Sequence, residues 1–369
     1  MTDFLVVGGG LIGLLSARAL SQTGAQVTLI ERGQLGKESS WAGGGILSPL
    51  YPWKYPSAVN ELAGWSQARY QLLADELAQS TGVDSEWVQS GLLMLDADER
   101  QAGLDWAASH PLGVDVELQS VDAEKLQTLE PNLQRGHDGG LLMSSVAQIR
   151  NPSFAKALRL DLAQRGVRVA EDTEVTHLLT KKGRILGVRT DYNEVMADNV
   201  IISCGAWSAT LLKELGQSVP VMPVRGQMIL FRAEPGLLQR IILHEGHYVI
   251  PRKDGRILIG STMEEVGFDK TVTDEARDDL AAVARSLVPA LANVPMERHW
   301  AGLRPGSPTG VPFIGEHPVV EGLFINAGHF RNGVVMAPAS AELLADIILD
   351  RPPSVDPRPY ALENRSNAA

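Results

Sequence analysis

Cysteine is almost missing from these 369 residues: Cys204 stands alone. No intramolecular disulfide and no multi-cysteine metal site can form, which suits a reducing compartment. Positive charge is also scarce. The 33 Lys and Arg residues face 44 Asp and Glu, leaving a net charge of -11. Such a balance repels phosphate backbones and supplies no electrostatic reason to bind nucleic acid. No run of about 18 apolar residues occurs, so no membrane span is predicted. The apolar stretch at the N-terminus has Asp3 before it and glycines within it, and it lacks a basic leader and a small-residue cleavage site. It is expected to be part of a folded motif, and the cytoplasm is the expected location. Histidine offers no metal site either. His244 and His247 are three apart, but His244-Glu245-Gly246-His247 is not H-E-x-x-H and no third ligand is in prospect, so no metal is expected.

Core-forming material is ample. Hydrophobic residues make up 44% and charged residues 21%, as in ordinary globular proteins. The length exceeds what one hydrophobic core usually organises, so two units, which interleaved segments can build, are expected. Glycine is the enriched type at 36 residues. It clusters near residues 8, 43, 139, 302 and 328, and such clusters mark tight turns or close approach of backbone to a ligand.

Residues 3–7 read as a buried strand, a helical pattern follows to Gly24, and residues 26–31 form a second strand, completing a βαβ unit. A Gly/Ser-rich loop is expected over 33–50 and a helix over 57–81. Residues 86–149 alternate strand-like runs with a helix near 98–108. A helix from Asn151 through Leu162 and a strand over 167–170 come next, and residues 195–205 read as strand, turn and strand. Strands dominate 219–262, with runs at 228–232, 248–251 and 257–259. Helix 274–288, strand 322–327, helix 333–349 and an irregular Pro-rich tail close the chain.

Gly8, Gly10 and Gly13 satisfy G-x-G-x-x-G between a strand and a helix. Gly8 permits the turn, Gly10 lets backbone reach a pyrophosphate, and Gly13 lets the helix pack on the strand. Glu31 ends the second strand, where a carboxylate can accept hydrogen bonds from an adenosine ribose. The unit is therefore read as dinucleotide-binding, and Glu31 disfavours the 2′-phosphate of NADP. Two further segments favour FAD over NAD. Ser39-Ser40-Trp41-Ala42-Gly43-Gly44-Gly45-Ile46 offers hydroxyls and flexible backbone for an extended cofactor. Phe324-Ile325-Asn326-Ala327-Gly328-His329 leads to a helix at Gly333 whose N-terminal N–H groups and positive dipole suit a reduced, anionic flavin ring.

Beyond these motifs stand His299-Trp300-Ala301-Gly302-Leu303-Arg304-Pro305-Gly306, Pro312-Phe313-Ile314-Gly315, and Ala327 through Gly333 followed by Ala337-Pro338-Ala339. Cys204-Gly205-Ala206-Trp207-Ser208, Pro223-Val224-Arg225-Gly226-Gln227 and Tyr248-Val249-Ile250-Pro251-Arg252 complete the set. Over nearly its full length the chain resembles the D-amino-acid-oxidase-like FAD-dependent oxidoreductase family, most closely its thiamine-pathway glycine oxidases. By that resemblance Arg304 would pair with a substrate carboxylate, Tyr248 would donate to the same carboxylate, and Arg331 would either touch substrate or organise the loop over the flavin. His329, Phe330, Arg331, Asn332, Gly333, Val334 and Val335 would line the flavin, and Val175 would meet the adenine side through its backbone. The cofactor-binding set is completed by Gly8, Gly10, Leu11, Ile12, Gly13, Glu31, Arg32, Ser39, Ser40, Ala42, Gly43, Gly44, Gly45, Ile46 and Gly205. Related sarcosine oxidases attach flavin to a cysteine in a different segment, so FAD is expected to be non-covalent.

The expected fold is α/β, with a discontinuous Rossmann-like FAD-binding domain (1–85, 145–220 and 300–369) and a smaller substrate domain on an antiparallel sheet (86–144 and 221–299). The expected reaction is hydride transfer from the Cα of glycine, or of other small amines such as sarcosine and D-alanine, to flavin, with no protein base removing that hydrogen. The imine yields glyoxylate and ammonia, O2 is reduced to H2O2, and by family analogy the imine feeds thiazole formation. A D-amino-acid or sarcosine oxidase or dehydrogenase is the alternative. A quinone-reducing dehydrogenase is disfavoured by the lack of an amphipathic anchor, and a module of an RNA-modifying assembly by the acidic balance. A homo-oligomer, with a tetramer among the options, is expected.

Overall fold

The computed structural model describes residues 2–109, 118–216 and 219–362. Its strands are β1 (Thr2–Val7), β2 (Val27–Ile30), β3 (Leu92–Met94), β4 (Leu118–Asp122), β5 (Gly139–Met143), β6 (Arg168–Ala170), β7 (Val175–Lys181) and β8 (Arg184–Thr190). They continue with β9 (Glu194–Ile202), β10 (Met222–Arg232), β11 (Ile241–His244), β12 (His247–Pro251), β13 (Arg256–Gly260), β14 (Met296–Gly306), β15 (Phe313–Glu316) and β16 (Leu323–Ala327). The helices are α1 (Leu11–Ser21), α2 (Ser39–Ala42), α3 (Ser57–Thr81), α4 (Ala97–Ser109), α5 (Ala123–Leu129), α6 (Asn151–Gln164), α7 (Ser208–Leu212), α8 (Asp274–Leu287) and α9 (Gly333–Ile348).

Two sheets organise the chain. The first runs β15-β16-β9-β1-β2-β6, with β8 also paired to β9 and β7 to β8. From β16 to β6 it is parallel, and parallel strands buried on both faces read as the near-continuous apolar runs seen at Leu5-Val6-Val7 and Val200-Ile201-Ile202. One face packs against α1, α3, α6 and α9 through Phe4, Val6, Leu14, Leu62, Tyr70, Phe154 and Met336. The other face buries Leu5, Ile202 and Leu323 with Val188 and Leu212.

The second sheet runs β14-β10-β13-β12-β11-β3-β5-β4 and is antiparallel except where β3 meets β11. Here the period of two decides what faces what. Ile229, Phe231, Val249 and Ile259 point to α8 and meet Leu280 and Leu287. Met228, Tyr248, Ile250 and Trp300 point the opposite way. Gly226, Gly302 and Arg304 keep that second parity, and cross-strand register sets Gly226 beside Gly302 and Val224 beside Arg304.

Several expectations are revised. Residues 195–205 hold one strand rather than two: Asp198-Asn199 suggests a turn, yet Asn199 pairs with Phe4 in the parallel ladder of β9 on β1. The 33–50 loop contains the one-turn α2. The β7–β8 hairpin escapes the apolar pattern because most of β7 is exposed or half-buried, although its turn at Lys182 and Gly183 has both φ values positive, a hairpin signature. Strand β14 crosses the expected 299/300 boundary and lies wholly in the second sheet. The tail has a short 3-10 turn at Arg358–Tyr360, and its portion at 363–369 lies outside the described residues, as do 110–117 within the expected strand–helix alternation.

The βαβ unit depends on a bare position at Gly13, where an added Cβ would sit 1.9 Å from the Gly8 carbonyl oxygen. Relieving that clash means moving α1 off β1. Gly13→Ala is expected to destabilise the protein by about 1–3 kcal/mol, as overpacking of a close contact does. Thermal unfolding checks this, and an unchanged melting temperature would contradict it.

Candidate functional site

A cleft of about 540 Å³ opens between the two sheets. One wall is built from the carboxyl ends of the parallel strands: Val7 at the end of β1, Ile30 and Glu31 at and just after the end of β2, Ser203 and Cys204 after β9, and Ala327 at the end of β16. That edge is where open α/β sheets receive ligands. The other wall is the cleft face of the second sheet, with Gly226, Met228, Tyr248, Gly302 and Arg304. Residues 38–48 pass between the walls.

At the first wall, Gly8 has φ +106°, and the backbone there is drawn close to Glu31. Glu31 accepts from the Gly9 N–H at 2.7 Å through one oxygen and from the Gly33 N–H at 3.0 Å through the other. The N-terminus of α1 begins at Gly10 with no side-chain cap, and the Leu11 N–H donates to Ser40 Oγ at 2.9 Å. A Cβ on Gly10 would meet only Ser40 Oγ, at 3.1 Å, so the position is open toward the cleft. Arg32 lies 3.7 Å over the Trp207 ring and also reaches Glu38. Asn151, itself buried, donates to the carbonyls of Ser40 and Gly43 and so holds α2 and the glycines after it. Arg252 donates to the Gly44 carbonyl at 2.7 Å and to Gln148 and Ile149. Burial, with Arg150 nearby, lowers its pKa to about 10.

At the far end, Phe330–Asn332 forms a 3-10 turn and α9 starts at Gly333 without a side-chain cap. No side chain competes for this helix end, whose positive dipole suits a negatively charged ligand. His329 is 1% exposed, and its Nε2 meets Ser340 Oγ at 2.9 Å. Burial drives its pKa down to about 3, so it is neutral. Positive potential at this end comes from the helix and from Arg331, not from His329.

On the second sheet, Tyr248 is 8% exposed and its ring lies over Gly260, where a Cβ would come within 2.7 Å of it. Arg304 lies over Gly226 and donates to the Thr262 carbonyl at 3.1 Å and to Ser261 Oγ at 2.5 Å. Both partners are neutral. No carboxylate among the described residues pairs with Arg304. Burial pushes its pKa down and Arg331 adds to this, while Tyr248 opposes it.

The structure gathers almost every expected residue. Gly8, Gly10, Leu11, Ile12, Glu31, Arg32, Ser39, Ser40, Ala42, Gly43 through Ile46, Val175, Gly205, Tyr248, Arg304 and His329 through Val334 line the cleft. Gly13 and Val335 do not. Gly13 is packed against Gly8, and Val335 is buried in the core between α9 and the helices beside it. Residues that sequence reasoning passed over include Thr173, Glu174 and Thr176 before and within β7, and Trp207, Thr210, Leu211 and Glu214. Trp207 sat in a recognised motif; the others carry no local signal. The donor set suits a long polar cofactor. Ser203 Oγ, Asn326 Oδ1 and Asn332 Nδ2 are buried without a hydrogen-bond partner among the described residues, and all three residues line the cleft. Among the described residues no cluster suited to a metal ion occurs, and no helix is long and apolar enough to cross a membrane.

The class this defines is a flavin-dependent oxidoreductase. The chain belongs to the FAD dependent oxidoreductase (DAO) family, whose model matches residues 3–347. It is 49% identical over 362 residues to a glycine oxidase of Pseudomonas aeruginosa, covering 98% of each chain. It is 47% identical over 362 residues to a glycine oxidase of Pseudomonas putida, again over 98% of each. The crystal structure of glycine oxidase from Geobacillus kaustophilus superposes with a TM-score of 0.92 at 30% identity, over 98% of each chain.

The neutral His329 makes a pH prediction. Above its ordinary pKa of 6.5 it is uncharged folded or unfolded, so it contributes no pH dependence there. Between 6.5 and about 3 the unfolded chain takes up a proton that the folded chain refuses, so stability falls as pH falls through that window. Thermal melts of the FAD-loaded protein from pH 7 down to 4.5 should therefore fall more steeply for wild type than for His329→Gln. Parallel curves would contradict a buried neutral imidazole.

Proposed function

We propose that the protein is an FAD-dependent glycine oxidase that turns glycine and O2 into glyoxylate, ammonia and H2O2, with sarcosine and D-alanine as further small substrates. The observation that carries this is Arg304: a half-buried guanidinium in the cleft, seated on neutral oxygens, with no acid beside it among the described residues. A charge in that state calls for an anion, and a carboxylate matches the fork of a guanidinium with two parallel hydrogen bonds. Tyr248, on the same sheet face, supplies a hydroxyl to the same carboxylate. Support for glycine comes from the glycine oxidases that the chain resembles over its whole length.

FAD would be held by the βαβ turn at Gly8 to Ile12 around its pyrophosphate, by Glu31 at its ribose, by the 39–46 segment along its length, and by His329 to Val334 at its ring. The first sheet with its helices acts as the FAD unit and the second sheet with α8 as the substrate unit. When bound, FAD would supply the two-electron acceptor for the substrate Cα–H bond, with O2 as the final oxidant. Arg304 and Tyr248 fix the carboxylate so that the Cα hydrogen faces the ring wall, and the uncapped N-terminus of α9 with Arg331 supplies positive potential where negative charge develops. The released imine hydrolyses to glyoxylate and ammonia or, by analogy with the family, feeds thiazole synthesis.

Cys204 is not a point of attachment for flavin. Its thiol is pushed up to about 12 by burial and by Glu31 and donates to the Val7 carbonyl at 3.3 Å, so it is no nucleophile at neutral pH. Acid precipitation should therefore release all the yellow colour. Colour retained in the denatured pellet would overturn non-covalent binding.

Glycine has five heavy atoms, so even at an optimistic ~1.5 kcal/mol per atom its binding free energy stays below about 8 kcal/mol. One ion pair is a large share of that. Truncating one partner of an enclosed pair typically costs ~2–5 kcal/mol, so Arg304→Ala should lower kcat/KM for glycine roughly 30-fold to several thousand-fold with FAD content unchanged. Arg304→Lys should recover only part, because an ammonium lacks the fork. A kcat/KM for Arg304→Ala within about threefold of wild type, with flavin retained, would move the anchor to Arg331.

A further inference from the structure

Arg304 rises from β14, yet its hydrogen-bond partners do not belong to β14 or to the neighbouring β10. They belong to residues 261–264, which continue from β13 along the other edge of β10. To reach them the guanidinium must cross β10, and it crosses at Gly226, where a Cβ would stand 2.1 Å from Arg304 Nη1. Alanine or anything larger there would occupy the space of the guanidinium.

The far side of that crossing is built with unusual care for an otherwise exposed segment. Glu264 bridges Arg225 as in an antiparallel pair, exchanging backbone hydrogen bonds of 2.8 and 3.0 Å. The Arg225 side chain, 5% exposed, holds the Glu264 carboxylate through Nε at 3.1 Å and through Nη2. Its Nη1 reaches Asp269 and the Thr271 carbonyl, both at 2.8 Å. The other Glu264 oxygen accepts from Thr262 Oγ1 and from Gln227 Nε2. The Gln227 N–H in turn donates to Thr262 Oγ1 at 2.9 Å. Thr262 is thus fixed through both backbone and hydroxyl, and it is the Thr262 carbonyl that receives Arg304.

We propose that Ser261–Glu264, clamped to β10 by Arg225, is a seat that aims the Arg304 fork at the substrate carboxylate, with Glu264, Arg225 and Gly226 as positioning residues. The proposal rests on Arg304 being the carboxylate anchor. It extends that reading by locating the aim of the fork in Glu264 and Arg225, which do not line the cleft, and in Gly226, whose bare backbone lets the guanidinium pass. A guanidinium whose two ends bond neutral oxygens keeps its charge available for a ligand. The acids of the network, Glu264 and Asp269, are taken up by Arg225 instead of competing with substrate for Arg304. The clamp therefore supplies rigidity without neutralising the anchor.

The test is steady-state oxygen uptake with glycine on FAD-loaded Arg304→Ala, Glu264→Ala, Gly226→Ala and the double variant Glu264→Ala/Arg304→Ala, with FAD content measured from absorbance. Glu264→Ala and Gly226→Ala should each raise KM for glycine about tenfold while kcat stays within about twofold and FAD content is unchanged. Glu264→Gln, which keeps an acceptor for Thr262, should recover part of the loss. The double variant should be no worse than Arg304→Ala, because Glu264 acts through Arg304. If Glu264→Ala does not fold, Thr262→Val removes the hydroxyl link alone and must raise KM in the same direction. If Arg304→Ala raises KM while Glu264→Ala or Thr262→Val and Gly226→Ala leave it unchanged, or if the losses simply add in the double variant, the seat is overturned and the anchor stands. If Arg304→Ala itself leaves KM unchanged, the anchor falls and the seat with it.

Discussion

A half-buried guanidinium given only neutral hydrogen-bond acceptors is in an unfinished electrostatic state. Arg304 is held in that state by the architecture around it. Its strand lies at the edge of the second sheet, its side chain crosses bare Gly226, and its two ends rest on Ser261 and the Thr262 carbonyl. Because Arg331 lies in the same cleft and lowers the pKa of Arg304 further, the site favours an anionic ligand. The acids of its seat, Glu264 and Asp269, are committed to Arg225.

The two sheets divide the labour that such a site requires. Parallel strands end at a common edge where backbone N–H groups and a helix N-terminus converge, which suits a cofactor recognised by pyrophosphate and ribose. The antiparallel sheet presents alternate side chains on a flat face, which suits precise placement of a small ligand. Strand alternation alone explains why Tyr248 and Arg304 share the cleft while Val249 and Leu303 do not line it. The loop from 38 to 48 joins the two walls: Trp300 donates to the Ala42 carbonyl, and Arg252 donates to the Gly44 carbonyl.

Much of this was legible in the amino-acid sequence, for identifiable reasons. The βαβ unit shows itself because its glycines, its apolar strands and Glu31 are local in the chain. The helix at 57–81 shows itself by its periodicity. The C-terminal block around Arg304 and the turn at His329 carry family-specific residues. What stayed hidden depends on long-range pairing or on context. The β7–β8 hairpin lacks a buried apolar face, and Asp198-Asn199 mimics a turn until β1 is present to pair with it. Val335 looks like one more residue of a flavin-lining run, but the first turn of α9 carries it round to the core. The Arg225–Glu264 clamp joins residues 39 apart, and neither residue type nor spacing hints at it.

Glycine held by its carboxylate is the proposed substrate pose. The most direct measurement is oxygen uptake with glycine as the amine and acetate, a carboxylate without an amine, as competitor. Uptake with glycine is expected, together with inhibition by acetate that raises KM while leaving kcat unchanged. No uptake with glycine, or uptake that acetate does not slow, would contradict it.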